Sequence, residues 1–222
     1  MGAGVTSAVA VLAVSGVASA ATTSPSASPA SATTAPAGSG QARSGPADGG
    51  ATGTIESTSA SGFTLATWTG IEVTVDETSS TKIEGAPARD VRKGTSVLVL
   101  GLVDDETSAT SITAARIDVQ PHGDGGAAAG QRSGVEPEVT GTPGPTKSVG
   151  TIPSDYTEGD GTIISGARAY AAVAAAQAVF PGGIVDRVVE LPDGGYEVHN
   201  IGIAWPHHVF VNSYDKVIGA DD

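Results

Sequence analysis

Apolar and polar positions alternate along two separate stretches of the chain, and outside them large apolar residues become scarce. In residues 51–121, Phe63-Thr64-Leu65 and Ile71-Glu72-Val73-Thr74-Val75 alternate with the period of a strand that turns one face inward. Residues 96–103 (SVLVLGLV) are apolar on both faces, which marks the most buried strand, and residues 112–119 (ITAARIDV) close the set. Ser61-Gly62, Thr69-Gly70 and Asp104-Asp105 supply turns. Five or six short strands in about seventy residues, with no helical pattern, predict a small closed or half-closed antiparallel β-barrel.

The period changes in residues 164–180 (ISGARAYAAVAAAQAVF). Tyr170, Val173, Gln177 and Phe180 fall on one stripe at helical spacing, with Ala169, Ala172 and Ala176 beside it. Ser165 is the expected N-cap, and Pro181-Gly182-Gly183 ends the run. The small alanine face lets such a helix lie close to a sheet. Strand patterns follow at 184–191 (IVDRVVEL) and 196–203 (YEVHNIGI), joined by the hairpin turn Pro192-Asp193-Gly194-Gly195. After a break at Ala204-Trp205-Pro206 come 207–212 (HHVFVN) and a tail through Val217-Ile218. One helix followed by an antiparallel meander predicts a two-layer α+β unit, so the whole chain is expected to be mostly β plus α+β.

The flanks carry no core. Residues 5–17 (VTSAVAVLAVSGV) form an apolar run that as a helix rises only ~20 Å, too short for a bilayer. The small-x-small site Ala18-Ser19-Ala20 follows, as in a secretory signal cleaved after Ala20. The opening Met1-Gly2-Ala3-Gly4 lacks the usual positive charge, and a start codon placed too far downstream accounts for that. In residues 21–50, 27 of 30 positions are Ala, Ser, Thr, Pro or Gly, so no burial can offset ordering entropy there. Residues 122–150 form a second Gly/Pro-rich linker. The expected order is therefore a signal peptide (1–20), a disordered linker (21–50), a barrel (51–121), a linker (122–150) and an α+β domain (151–222), secreted or held at the cell wall, with no transmembrane segment in the mature chain.

Each folded segment resembles a known family. The order GTIESTSASGFTLAT, IEVTVDETSSTKIEG, DVRKGTSVLVLGLVDD and TAARIDVQ resembles an uncharacterised OB-like family of bacterial exported proteins, which has no established activity. The second segment resembles the PepSY domain. The matching residues are Ile164-Ser165, Ala169, Phe180-Pro181-Gly182-Gly183, then Asp193-Gly194-Gly195-Tyr196-Glu197-Val198, Val209-Phe210-Val211-Asn212 and Lys216-Val217-Ile218. Val211-Asn212 and Tyr214-Asp215-Lys216 depart from that family's usual V-D and T-G-K. PepSY domains occur in propeptides of secreted metallopeptidases, so the resemblance implies a binding or inhibitory module with a peptidase among its candidate partners.

Composition narrows the chemistry. The chain of 222 residues has 24 Asp+Glu against 11 Lys+Arg, a net charge of −13, and no cysteine. Disulfides, thiolate metal sites and a cysteine nucleophile are excluded. The barrel segment holds ten carboxylates against five cations (Lys82, Arg89, Arg92, Lys93, Arg116), which argues against nucleic acid. Trp68 beside Gly70 suits a cap on the barrel core better than a glycan platform. H-E-x-x-H, G-x-S-x-G, the P-loop and a dinucleotide fingerprint are all missing, so neither catalysis nor a cofactor is expected. Asp155, Glu158 and Asp160 miss the spacing of a calcium loop and read as a flexible acidic lead-in to the helix.

Two candidate sites remain. Tyr196, Trp205 and Phe210 on the second sheet are the expected contacts for a protein or peptide of the cell envelope. Alternatively, His199 with His207 or His208, on strands joined near Trp205, could bind Zn or Cu with help from Glu197 or Asp215. Neighbouring residues on a strand face opposite ways, so only one of His207 and His208 can join His199. Rim histidines are the plainer alternative.

Overall fold

The strand that organises the molecule starts earlier than the apolar pattern indicates. The computed structural model describes residues 46–104, 111–120 and 147–222. The signal-like run, residues 21–45, Asp105 and residues 121–146 lie outside them. Of the described residues, 51% are in strands and 11% in helix, a mostly β protein. The first five strands are β1 (Ala47–Thr58), β2 (Gly62–Thr67), β3 (Glu72–Glu84), β4 (Ser96–Val103) and β5 (Ser111–Val119). They close into a five-stranded barrel in the order β1-β2-β3-β5-β4 and back to β1, with only β3–β5 parallel.

The linker boundary at residue 50 is thus corrected, since β1 begins at Ala47 and pairs with β4 from Ala47↔Val103 to Thr54↔Ser96. The cause is close packing. At Gly49 a Cβ would run into the carbonyl of Val185, and at Gly50 into that of Val99 and, at 3.2 Å, the side chain of Val173. A strand squeezed between neighbours on every side is built from Gly and Ala, and so carries no hydrophobic signature.

The second half consists of β6 (Val149–Gly150), β7 (Thr162–Ile163), α1 (Ala167–Val179), β8 (Ile184–Glu190), β9 (Tyr196–Ile201), β10 (His208–Val211) and β11 (Val217–Asp221). Strands β8 to β11 form an antiparallel meander, with β6 on its outer edge and β7 paired to β8. The end of the second expected linker is therefore strand. Gly50↔Val185 and Ala51↔Ile184 join β1 to β8, so the two segments share one sheet.

Beyond Ala51, β1 turns from β8 to β2, and at that fork the amide of Thr52 donates to Oε1 of Gln177 at 3.2 Å. Gln177 is 1% exposed. Its place on the apolar stripe thus serves a buried backbone donor that would otherwise be orphaned. Strand β4 is shared as well: Val97, Val99 and Val103 fill the barrel, while Leu98 and Leu100 pack beneath α1 with Ala169, Ala172, Val173 and Ala176.

The helix start is also corrected. Gly166, not Ser165, is the N-cap, and no side chain of its own turn caps it. Asp48 of β1 does so from across the fold. Its Oδ2 accepts the amide of Gly166 at 2.6 Å and its Oδ1 accepts the Tyr170 hydroxyl at 3.0 Å. A carboxylate at this end meets both the free N–H groups and the positive end of the helix dipole.

Candidate functional site

The face of the second sheet turned away from α1 carries charge. Arg187 of β8 pairs with His199 of β9, which pairs with His208 of β10, so the three stand in one row; Glu197 and Phe210 form the next. A register shift between Val185 and Arg187 makes Asp186 an extra residue, a β-bulge. The bulge lets Val185 and Val188, three apart, both face the helix core, and it turns Asp186 towards the charged row.

Asp186, Arg187, Glu197 and His208 are all buried, and His199 is half-buried. Nδ1 of His199 donates to Oδ1 of Asp186 at 2.6 Å, and Arg187 donates to the other oxygen of Asp186 at 3.2 Å. Nδ1 of His208 donates to Oε1 of Glu197 at 2.8 Å. The two imidazole centroids are 5.4 Å apart with planes at 57°. Buried charges persist only when paired in this way.

Tyr156 closes the site from the segment before β7. Its ring packs edge-on against Phe210 at 4.7 Å and its hydroxyl lies 3.1 Å from Nδ1 of His208. Burial, reinforced by the carboxylates of Glu197 and Glu158, pushes this hydroxyl well above the ordinary phenol range. The expected flexible lead-in is thus part of the site's cover through Tyr156, a residue that the sequence pattern did not single out.

The residues expected to meet a partner lie elsewhere than on a free surface. Tyr196 and Phe210 are buried, Tyr196 in the helix core and Phe210 under Tyr156. Trp205 is half-buried, edge-on to Phe180 at 5.5 Å, and its indole N–H donates to the Lys147 carbonyl at 2.5 Å. Large aromatics on a small two-layer unit are needed for its own core. Of the histidines, His208 faces His199, whereas Nε2 of His207 lies 2.9 Å from the Ile203 carbonyl, and Asp215 sits apart in the β10–β11 turn with φ 55°.

Trp68 does not cap the barrel core: it is 56% exposed. Its turn is nonetheless held firmly. The amide of Gly70 donates to the Thr67 carbonyl at 3.0 Å, and Thr69 Oγ1 donates to the carbonyl of Gly182, just beyond α1, at 2.5 Å. The turn therefore bridges the barrel and the end of the helix.

No family model matches the chain, and no curated protein or solved structure matches it either. Among the described residues, no helix is long and apolar enough to cross a membrane.

Proposed function

We propose that the chain is an exported, non-catalytic binding protein of the bacterial envelope or medium, and that it engages a protein or peptide partner around Trp68. The observation that carries this is an exposed indole on a turn already anchored to both halves of the fold. A large aromatic held in place loses little freedom on contact, which is the property of residues that dominate binding energy. The closed barrel supports the OB-like resemblance, and a helix laid over an antiparallel meander is compatible with the PepSY-like one.

The partner class that the PepSY-like resemblance suggests is a secreted metallopeptidase, restrained rather than cleaved. Pairing of Asp186 with His199 and of Glu197 with His208 favours a structural or ligand-holding use of these groups over acid–base turnover. The full chain in excess is expected to slow secreted peptidases of the same source, and Trp68→Ala to relieve that inhibition with an unchanged thermal midpoint. Unchanged peptidase rates overturn the restraint. Inhibition that survives Trp68→Ala overturns the assigned surface.

A further inference from the structure

The two imidazoles of the charged row have a chemistry that the Trp68 surface does not use. His199 and His208 are register partners on neighbouring strands of a packed sheet, so their separation is set by the backbone. Each presents Nδ1 to a buried carboxylate, Asp186 for one and Glu197 for the other. Nη1 of Arg187 also lies 3.0 Å from Nδ1 of His199, but it donates to Oδ2 of Asp186, and the shorter contact of Nδ1 with Oδ1 places the hydrogen on Nδ1. A carboxylate only accepts, so Nδ1 of His208 carries a hydrogen too, and in each neutral ring Nε2 keeps the lone pair. That is the orientation in which imidazoles ligate metals, with the carboxylate behind fixing the tautomer and raising the basicity of the ligand.

The spacing fits. With N–metal bonds of about 2.0–2.1 Å, each ring centre lies about 3 Å from the ion, and two rings on one tetrahedral ion stand about 5 Å apart. The observed centroids are 5.4 Å apart. The charges around the pair also favour a cation: Asp186 and Arg187 on β8 and Glu197 on β9 contact it directly. Asp221 on β11 is the register partner of His208. Three carboxylates thus stand around the pair against one guanidinium.

We propose that His199 and His208 bind one late first-row divalent cation through their Nε2 atoms, Cu²⁺ more tightly than Zn²⁺, with water in the remaining positions. Among the described residues, no three His, Asp or Glu side chains are grouped to hold a metal ion. The site is therefore a two-imidazole one, weaker than a four-ligand structural centre.

The test is a Zn²⁺ titration of the full chain, reading the ring nitrogen resonances of its four histidines (His122, His199, His207, His208). His199 and His208 are expected to shift together at Nε2 and saturate at one equivalent, while His207 stays put. Glu197→Gln keeps an acceptor for Nδ1 but removes the charge, and is expected to lower affinity about 10–100-fold. With Cu²⁺, the unaltered protein is expected to show two nitrogen ligands by electron paramagnetic resonance, a readout that needs no variant to fold. Silence at both histidines, movement of only one, a response confined to His207 or His122, or fewer than two nitrogens on copper overturns the proposal.

Discussion

The interior of the barrel and the outer face of the second sheet are both withdrawn from water, by opposite means. Inside the barrel stand Ile55, Leu65, Val73, Val75, Val97, Val99, Ile112 and Ile117, each at most 1% exposed. Glu197 is also 1% exposed, but its carboxylate pairs with His208, on a face that also carries the Asp186–Arg187 pair. The first region is stabilised by apolar area removed from water, a graded and non-directional term of about 1.5–3 kcal/mol per large side chain. The second is held by specific pairs, each of which offsets the desolvation of its partner. Truncation in the barrel should therefore cost in proportion to the volume lost. Loss of one charged partner should cost more than loss of the whole pair.

The strongest way to break this comparison is at Glu197. Glu197→Ala removes the acceptor of His208 at a buried position and is expected to cost about 3–5 kcal/mol. Glu197→Leu combined with His208→Leu leaves no orphan within that pair and is expected to cost less than the single change, measured by urea unfolding. A double variant less stable than Glu197→Ala would show that the pair contributes net stability. In the barrel, Leu65→Ala is expected to cost about 3 kcal/mol by creating a cavity, with no such rescue by a second substitution. Smaller again is Gln177→Ala, which leaves the Thr52 amide unpaired at the fork of β1 and is expected to cost about 1–3 kcal/mol. Amide exchange at Thr52 should quicken in that variant more than at its neighbours Ala51 and Gly53.

The same contrast decides what could be read from the chain. Strand β4 was legible to the residue, because alternate side chains serve two different cores and SVLVLGLV is apolar throughout. Strand β1 was hidden, since tight neighbours select Gly and Ala, the composition of a linker. The helix stripe was legible, but its cap was not: Asp48 lies 118 positions before Gly166, and no local signal links them. His199, His208 and Glu197 were reachable from strand alternation and the break at Trp205. Asp186 and Arg187 were missed, although Val185-Asp-Arg-Val188 holds a clue. Val185 and Val188, three apart, reach one core only through the bulge that displaces the pair between them. Tyr156 was missed because a lone tyrosine among acidic and glycine residues has the composition of a loop. Alternation by itself marks a face only as polar, and the fold shows that face covered by Tyr156.

Alkaline pH gives the smallest expected effect, and it sharpens the comparison by reporting on the polar junctions alone, since the barrel core has nothing to titrate. Burial, with the accepting carboxylate of Asp48 beside it, pushes the Tyr170 hydroxyl from 10.0 up to about 12, and burial shifts Tyr156 upward as well. Below pH 10 both phenols are protonated in the folded and unfolded chain, so they contribute no pH dependence. As pH rises beyond that, the unfolded chain releases these protons first. It then binds fewer protons than the folded state, and stability must fall with pH. For Tyr170 the fall continues until the folded phenol itself ionises near 12. Urea midpoints taken between pH 9 and pH 11.5 should therefore decline. The decline should be shallower in Tyr170→Phe and shallower still in Tyr156→Phe/Tyr170→Phe, even though each variant starts from a lower midpoint at pH 9. Parallel declines in all three proteins would mean that the loss comes from general charge repulsion in this acidic chain, and that neither hydroxyl is as firmly enclosed as its contacts with Asp48 and His208 require.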